Sequence, residues 1–144
     1  MWYVVDSEPG SYLYCGLSRD ASKEEILERI NNNTITDILN KIEVKAGDVV
    51  MVKAGTIHAI GAGVFICEIQ QNSNCTYRMY DYDRRDKFGN PRELHVKKAL
   101  DVVDNHKYIK DNKTEVVIAR NEHFTEERLV QCKYFEVYKY CLLY

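Results

Sequence analysis

The side chains best suited to chemistry fall in one stretch and just after it. In KAGTIHAIGAGVFICEIQQ, Lys53 to Gln71, His58 follows a glycine turn, and Glu68 and Gln70 come a strand's length later. Arg78 follows in TYRMYDY. An imidazole holds a metal ion or moves a proton, and a carboxylate can do either. A guanidinium keeps its proton, so Arg78 suits charge stabilisation or phosphate contact better than base work. Lys53 stands in the turn before His58.

Strand phase decides whether these groups can meet. In VFICEIQ, Val64, Ile66, Glu68 and Gln70 alternate onto one face. Phe65, Cys67 and Ile69 form the other, a plain core face. In TYRMYDY, Arg78 sits mid-strand with Thr76 and Tyr80 on its own face, opposite Tyr77 and Met79. Two readings stay open. The polar faces are the solvated side of an antiparallel sheet, which pattern alone favours, or they line a cavity. His58 reads equally as a turn histidine, and Lys53 as a turn lysine in solvent. His95 caps or packs a helix start. His106 and His123 lie in hydrophilic stretches, and DYDRRDKFGN is a charged loop.

The elements that would position these residues are mostly strands. WYVV, Trp2 to Val5, ends at SEPG, and SYLYCGL, Ser11 to Leu17, alternates as its partner. The period then changes. Ser22 and Glu25 make a capping box, and Ile26, Leu27 and Ile30 an apolar stripe, so SRDASKEEILERI predicts a helix. NNNTITDILNKI predicts a short second helix capped by Thr34 or Thr36. From Ile42 on, IEV, DVVMVK, VFICEIQ, TYRMYDY, EVVIAR, RLVQCKY and FEVYKY read as strands, separated by turns such as KAGD, KAGT, GAG and QNSN. PRELHVKKALDVVDN is the one later helix, with Pro91 near its start and apolar Leu94, Leu100 and Val103. The sum is a mainly β sandwich or barrel with helices attached.

Composition narrows the setting. A chain of 144 residues, 45% hydrophobic and 29% charged, can bury a core as one domain. Its net charge of −2 points to neither nucleic acid nor an anionic membrane. Eleven tyrosines favour β-structure. No segment has the roughly 18 consecutive apolar residues of a span, and MWYVVDSEPG lacks the basic and apolar regions of a signal peptide. The five cysteines are odd in number, spread out and without a CxxC pair, which reads as reduced thiols, mostly core filler, in a cytoplasmic protein.

GDVVMVKAGTIH follows the second cupin motif from Gly47 through Gly55 to His58, with Lys53 where proline is usual and Ala62 where asparagine is usual. The run GTIHAIG, EIQQ, TYRMYDYDR and RELH, in that order and spacing, resembles the type I mannose-6-phosphate isomerases of the short bacterial kind. The resemblance is close from Lys45 to Val103 and weaker on both sides.

The resemblance implies a partial cupin-like jelly roll or β-barrel, the central part of such an isomerase over residues 1–144, with a helical insert at 18–41. It implies zinc-dependent interconversion of mannose 6-phosphate and fructose 6-phosphate through an enediol. His58 matches the metal-binding histidine, Arg78 the active-site arginine and Glu68 an acidic residue of the substrate cavity, and the resemblance makes Lys53 and Gln70 candidate substrate contacts. The family's other zinc ligands, a glutamine, a histidine and a glutamate, precede the position of MWYV. The expectation is therefore a chain shortened at both ends. It is then a piece of such an isomerase that is inactive alone, or it works with a homodimer mate or partner chain that supplies missing strands, or it is a non-catalytic cupin remnant that binds a sugar phosphate or a partner.

Overall fold

The computed structural model describes residues 1–73, 75–110 and 116–143. Its first two sheets face each other. The strands β1 (Trp2–Ser7), β2 (Tyr12–Leu17), β3 (Leu39–Glu43), β4 (Val49–Val50), β5 (His58–Ile60) and β6 (Val64–Glu68) sort into the antiparallel orders β4-β1-β6 and β3-β2-β5. Consecutive strands β1 and β2 are therefore not partners, contrary to the expectation from the sequence. They lie in opposite sheets and pack face to face. Trp2 and Val4 of one, Leu13 and Cys15 of the other, with Val44 and Val50, form the core between them. Trp2 and Val4 share one face of β1, and Leu13 and Cys15 one face of β2.

Each sheet is covered on its outer face as well. Tyr14 and Leu17 both point out of the second sheet, because the β2–β3 register shifts between them. The helix α1 (Lys23–Asn31), a 3₁₀ turn (Ile35–Ile38) and the helix α2 (Val96–Val102) pack there through Ile26, Ile30, Ile35, Ile38, Ala99 and Val103. On the outer face of the first sheet lie Met1, Tyr3, Val49, Met51 and Ile69. They meet Leu129, Val130 and Val137 of a third antiparallel sheet, β7 (Val116–Arg120), β8 (Phe124–Gln131) and β9 (Glu136–Leu142).

This layering corrects the reading of β6. Val64 and Ile66 pack on the inner core. On the opposite face Ile69 alone joins a core, while Phe65 is 65% exposed and Cys67 is exposed. Both faces of β6 carry apolar residues, so hydrophobicity could not fix its phase. TYRMYDY is not a strand: its described residues run without regular pairing. DVVMVK contributes only Val49–Val50, and α2 starts at Val96, after Pro91 and the exposed Leu94. Of the five free cysteines only Cys15 is buried, so the thiols are not mostly core filler. The QNSN turn and the start of EVVIAR extend outside the described residues.

The α1 start was legible. Ser22 accepts from the Glu25 backbone N–H at 3.1 Å, half of a capping box. The Glu25 carboxylate does not reciprocate; Arg19 and Arg29 hydrogen-bond it and hold its pKa down at about 2. The α1 end uses the asparagines that follow. Thr34 N–H bonds Arg29 O at 2.8 Å and Asn33 N–H bonds Ile30 O at 3.2 Å, a Schellman closure with Asn33 left-handed at φ 57°. Asn33→Gly should raise stability by about 0.5–1 kcal/mol, since glycine takes this conformation without steric cost. Urea unfolding checks it, and a lower midpoint would contradict it.

Candidate functional site

Two glycines bracket β5 and press it into place. Gly55 has φ 82°, and a Cβ there would sit 2.7 Å from the Val102 carbonyl oxygen. Its own carbonyl accepts from Asp104 N–H at 2.9 Å, so the turn rests on the end of α2. At the other end, a Cβ on Gly61 would lie 2.3 Å from Tyr12 O. No side chain fits at either point, so β5 closes directly onto β2.

His58 opens β5, opposite Cys15. Its Nδ1 lies 2.8 Å from Thr56 O. A carbonyl only accepts, so Nδ1 carries a proton, and in the neutral ring Nε2 keeps its lone pair. The imidazole packs edge to face on Trp2, with ring centroids 5.3 Å apart and planes at 72°. Glu68 arrives from the other sheet as the cross-strand partner of Trp2. The Trp2 indole Nε1–H donates to Glu68 Oε1 at 3.0 Å. The structure thus brings His58 and Glu68 together through one indole. Trp2 read in the sequence only as part of an apolar strand; its ring N–H was the signal available, but its neighbours were not.

The other candidates lie further out. Gln70 is exposed, beyond the end of β6. Lys53 is exposed in the turn, where its carbonyl accepts from Thr56 N–H at 3.2 Å. It adds to the effect of His106, whose hydrogen bonds hold the Asp104 carboxyl below its ordinary value. Arg78 is half-buried but not on a strand. Its backbone N–H donates to His95 Nδ1 at 3.3 Å, its carbonyl accepts from His95 N–H at 2.6 Å, and its Nη1 donates to Glu93 O at 3.4 Å. Among the described residues its hydrogen bonds run to the 93–95 segment rather than to His58 or Glu68. His95 therefore packs against Arg78 and supplies no side-chain cap to α2. His106 and His123 are exposed, as their sequence surroundings suggested.

The charged loop is less solvated than it reads. The Asp81 side chain is 8% exposed, bound by Arg84 at 2.6 Å and faced by Arg92 at 3.6 Å. Tyr82 and Asp83 both adopt positive φ, and Arg84 N–H closes the turn on Asp81 O at 3.0 Å. Cys15 lies under the site, and burial pushes its thiol pKa up.

A zinc ion needs about three protein ligands. Among the described residues no group of three or more His, Cys, Asp or Glu side chains converges. His58 offers one nitrogen with no second and third ligand beside it, so the described residues do not by themselves make a zinc site.

Two facing antiparallel sheets with a glycine-turned histidine between them define a cupin-like protein. Mannose-6-phosphate isomerase ManA of Bacillus subtilis (strain 168) is 38% identical over 141 residues, covering 98% of this chain and 44% of that protein. The mannose-6-phosphate isomerase of Streptococcus mutans is 44% identical over 102 residues, covering 71% of this chain and 32% of that one. The crystal structure of the mannose 6-phosphate isomerase from Bacillus subtilis superposes with a TM-score of 0.87 at 36% identity, over 98% of this chain and 44% of that one. No family model matches the chain. By sequence and fold the chain is a relative of the mannose-6-phosphate isomerases, and it spans less than half the length of those it matches.

Gly55→Ala should cost about 2 kcal/mol, from the positive φ and the clash with backbone that cannot give way. Denaturant unfolding measures this, and a change within about 0.5 kcal/mol would mean the turn is not seated on α2.

Proposed function

We propose that the chain acts on mannose 6-phosphate, interconverting it with fructose 6-phosphate through an enediol, in the cytoplasm. The observation that carries this reading is the pairing of His58 and Glu68 across Trp2, on the inner face of a fold shared with these isomerases. The reaction moves a proton between C1 and C2, and Glu68 is the carboxylate placed to shuttle it. Its Oε1 is held by the indole, which leaves Oε2 for the substrate. Arg78 stabilises the developing oxyanion or the phosphate with a charge that never leaves it. Lys53 and Gln70 contact the sugar phosphate at the rim. Zinc enters this reading through His58 Nε2, with further ligands from a second copy or a partner chain; no step here is routed through it.

A second reading, a cupin that binds a sugar phosphate without turning it over, is favoured by the lack of a three-ligand group among the described residues. A coupled assay of mannose 6-phosphate turnover with zinc added separates them, run on the chain beside Arg78→Ala and His58→Asn. The isomerase reading expects turnover that falls at least about 100-fold in both variants, the usual scale for losing an electrostatic group at the reacting centre. Saturable binding without turnover supports the second reading. Turnover equal in all three preparations reports a contaminating host enzyme and overturns the first. Light scattering on the same samples tests the partner: the reading expects masses above 16.8 kDa, because each sheet leaves strand edges unpaired among the described residues. A clean monomer counts against it.

A further inference from the structure

We propose that Trp2 is the positioning residue of this site, the one side chain that sets Glu68 and His58 as a unit; this deepens the reading of those two residues as site residues. His58 and Glu68 are both exposed, so surrounding packing does little to fix their rotamers. Trp2 is 2% exposed and locked between the sheets. It therefore supplies the rigid reference. Its ring N–H can only donate, so its partner must be an acceptor, and here that is Glu68 Oε1. Its ring packs against the His58 imidazole from the opposite sheet and sets the plane of that ring, while Thr56 O sets the tautomer. The atoms left for a ligand are Glu68 Oε2 and His58 Nε2.

Trp2 both fills the inner core and reaches Glu68 with a ring N–H donor, which phenylalanine, leucine and methionine lack. A purely structural tryptophan would feel each neighbour by itself and would not pass a change at position 68 on to position 58. A positioning tryptophan transmits a change at one to the other.

Trp2 is the only tryptophan in the chain, so its indole N–H gives a single resonance in a proton–nitrogen spectrum. In Glu68→Leu that resonance should move upfield and exchange with water faster by up to about tenfold, the worth of one net hydrogen bond. Glu68→Gln keeps an acceptor oxygen and should restore most of the original position. The imidazole C–H signals of His58 should move in Glu68→Leu, and should stop responding to that change in a Trp2→Phe background. Should Trp2→Phe fail to fold, the variants at exposed positions decide alone: His58→Leu must move the indole resonance with Glu68 intact. An indole resonance identical in the unaltered chain, Glu68→Leu and His58→Leu overturns the proposal. The expected shifts in a chain without turnover support positioning by Trp2 and count only against the isomerase reading.

Discussion

The contact between the two inner sheet faces carries the rest of the structure. Trp2 and Val4 on β1 meet Leu13 and Cys15 on β2, and all four are almost wholly buried. Burying each large apolar side chain is worth about 1.5–3 kcal/mol. The same contact decides which residues face inward on every neighbouring strand. Glu68 is on the inner face because it pairs with Trp2, and His58 because it pairs with Cys15. A one-residue slip of β6 on β1 would turn Glu68 outward and put Cys67 in its place.

The site depends on a second support, from the helical side. Gly55 is seated against the backbone at the end of α2, and α2 packs with α1 on the outer face of the second sheet. The turn that delivers His58 therefore reports on packing well away from it. Arg78 is held from the same side. Its hydrogen bonds to Glu93 and His95, with the Asp81–Arg92 pair, bring residues 78–81 alongside 92–95 without a regular ladder. Among the described residues the buried Asp81 Oδ2 has no hydrogen bond, and Arg92 Nε faces it at 3.6 Å.

Local features of the sequence were the most legible. β-rich runs marked β1 and β9, alternation marked β2, and Ser22 marked the start of α1. The cupin-like glycine spacing marked His58, because a backbone clash at Gly55 and Gly61 leaves no choice of residue. What could not be read was non-local. The partner of β1 is β6, more than fifty residues on, and no local pattern encodes it. The phase of β6 was ambiguous because Ile66 and Ile69 enter different cores on opposite faces. TYRMYDY alternates like a strand, yet its backbone groups find partners in the 93–95 segment and a turn. Trp2 reads only as part of an apolar run, because a ring N–H shows its use only when its acceptor is known.

The central claim is that the wall formed by Trp2, His58 and Glu68 is the surface that meets the sugar phosphate. Chemical-shift mapping with increasing mannose 6-phosphate tests it most directly. The account expects saturable shifts of the Trp2 indole N–H and of the backbone amides at Ala59 and Ile69. Shifts confined to the β7-β8-β9 sheet or the 81–92 loop, with the indole unmoved, would contradict it.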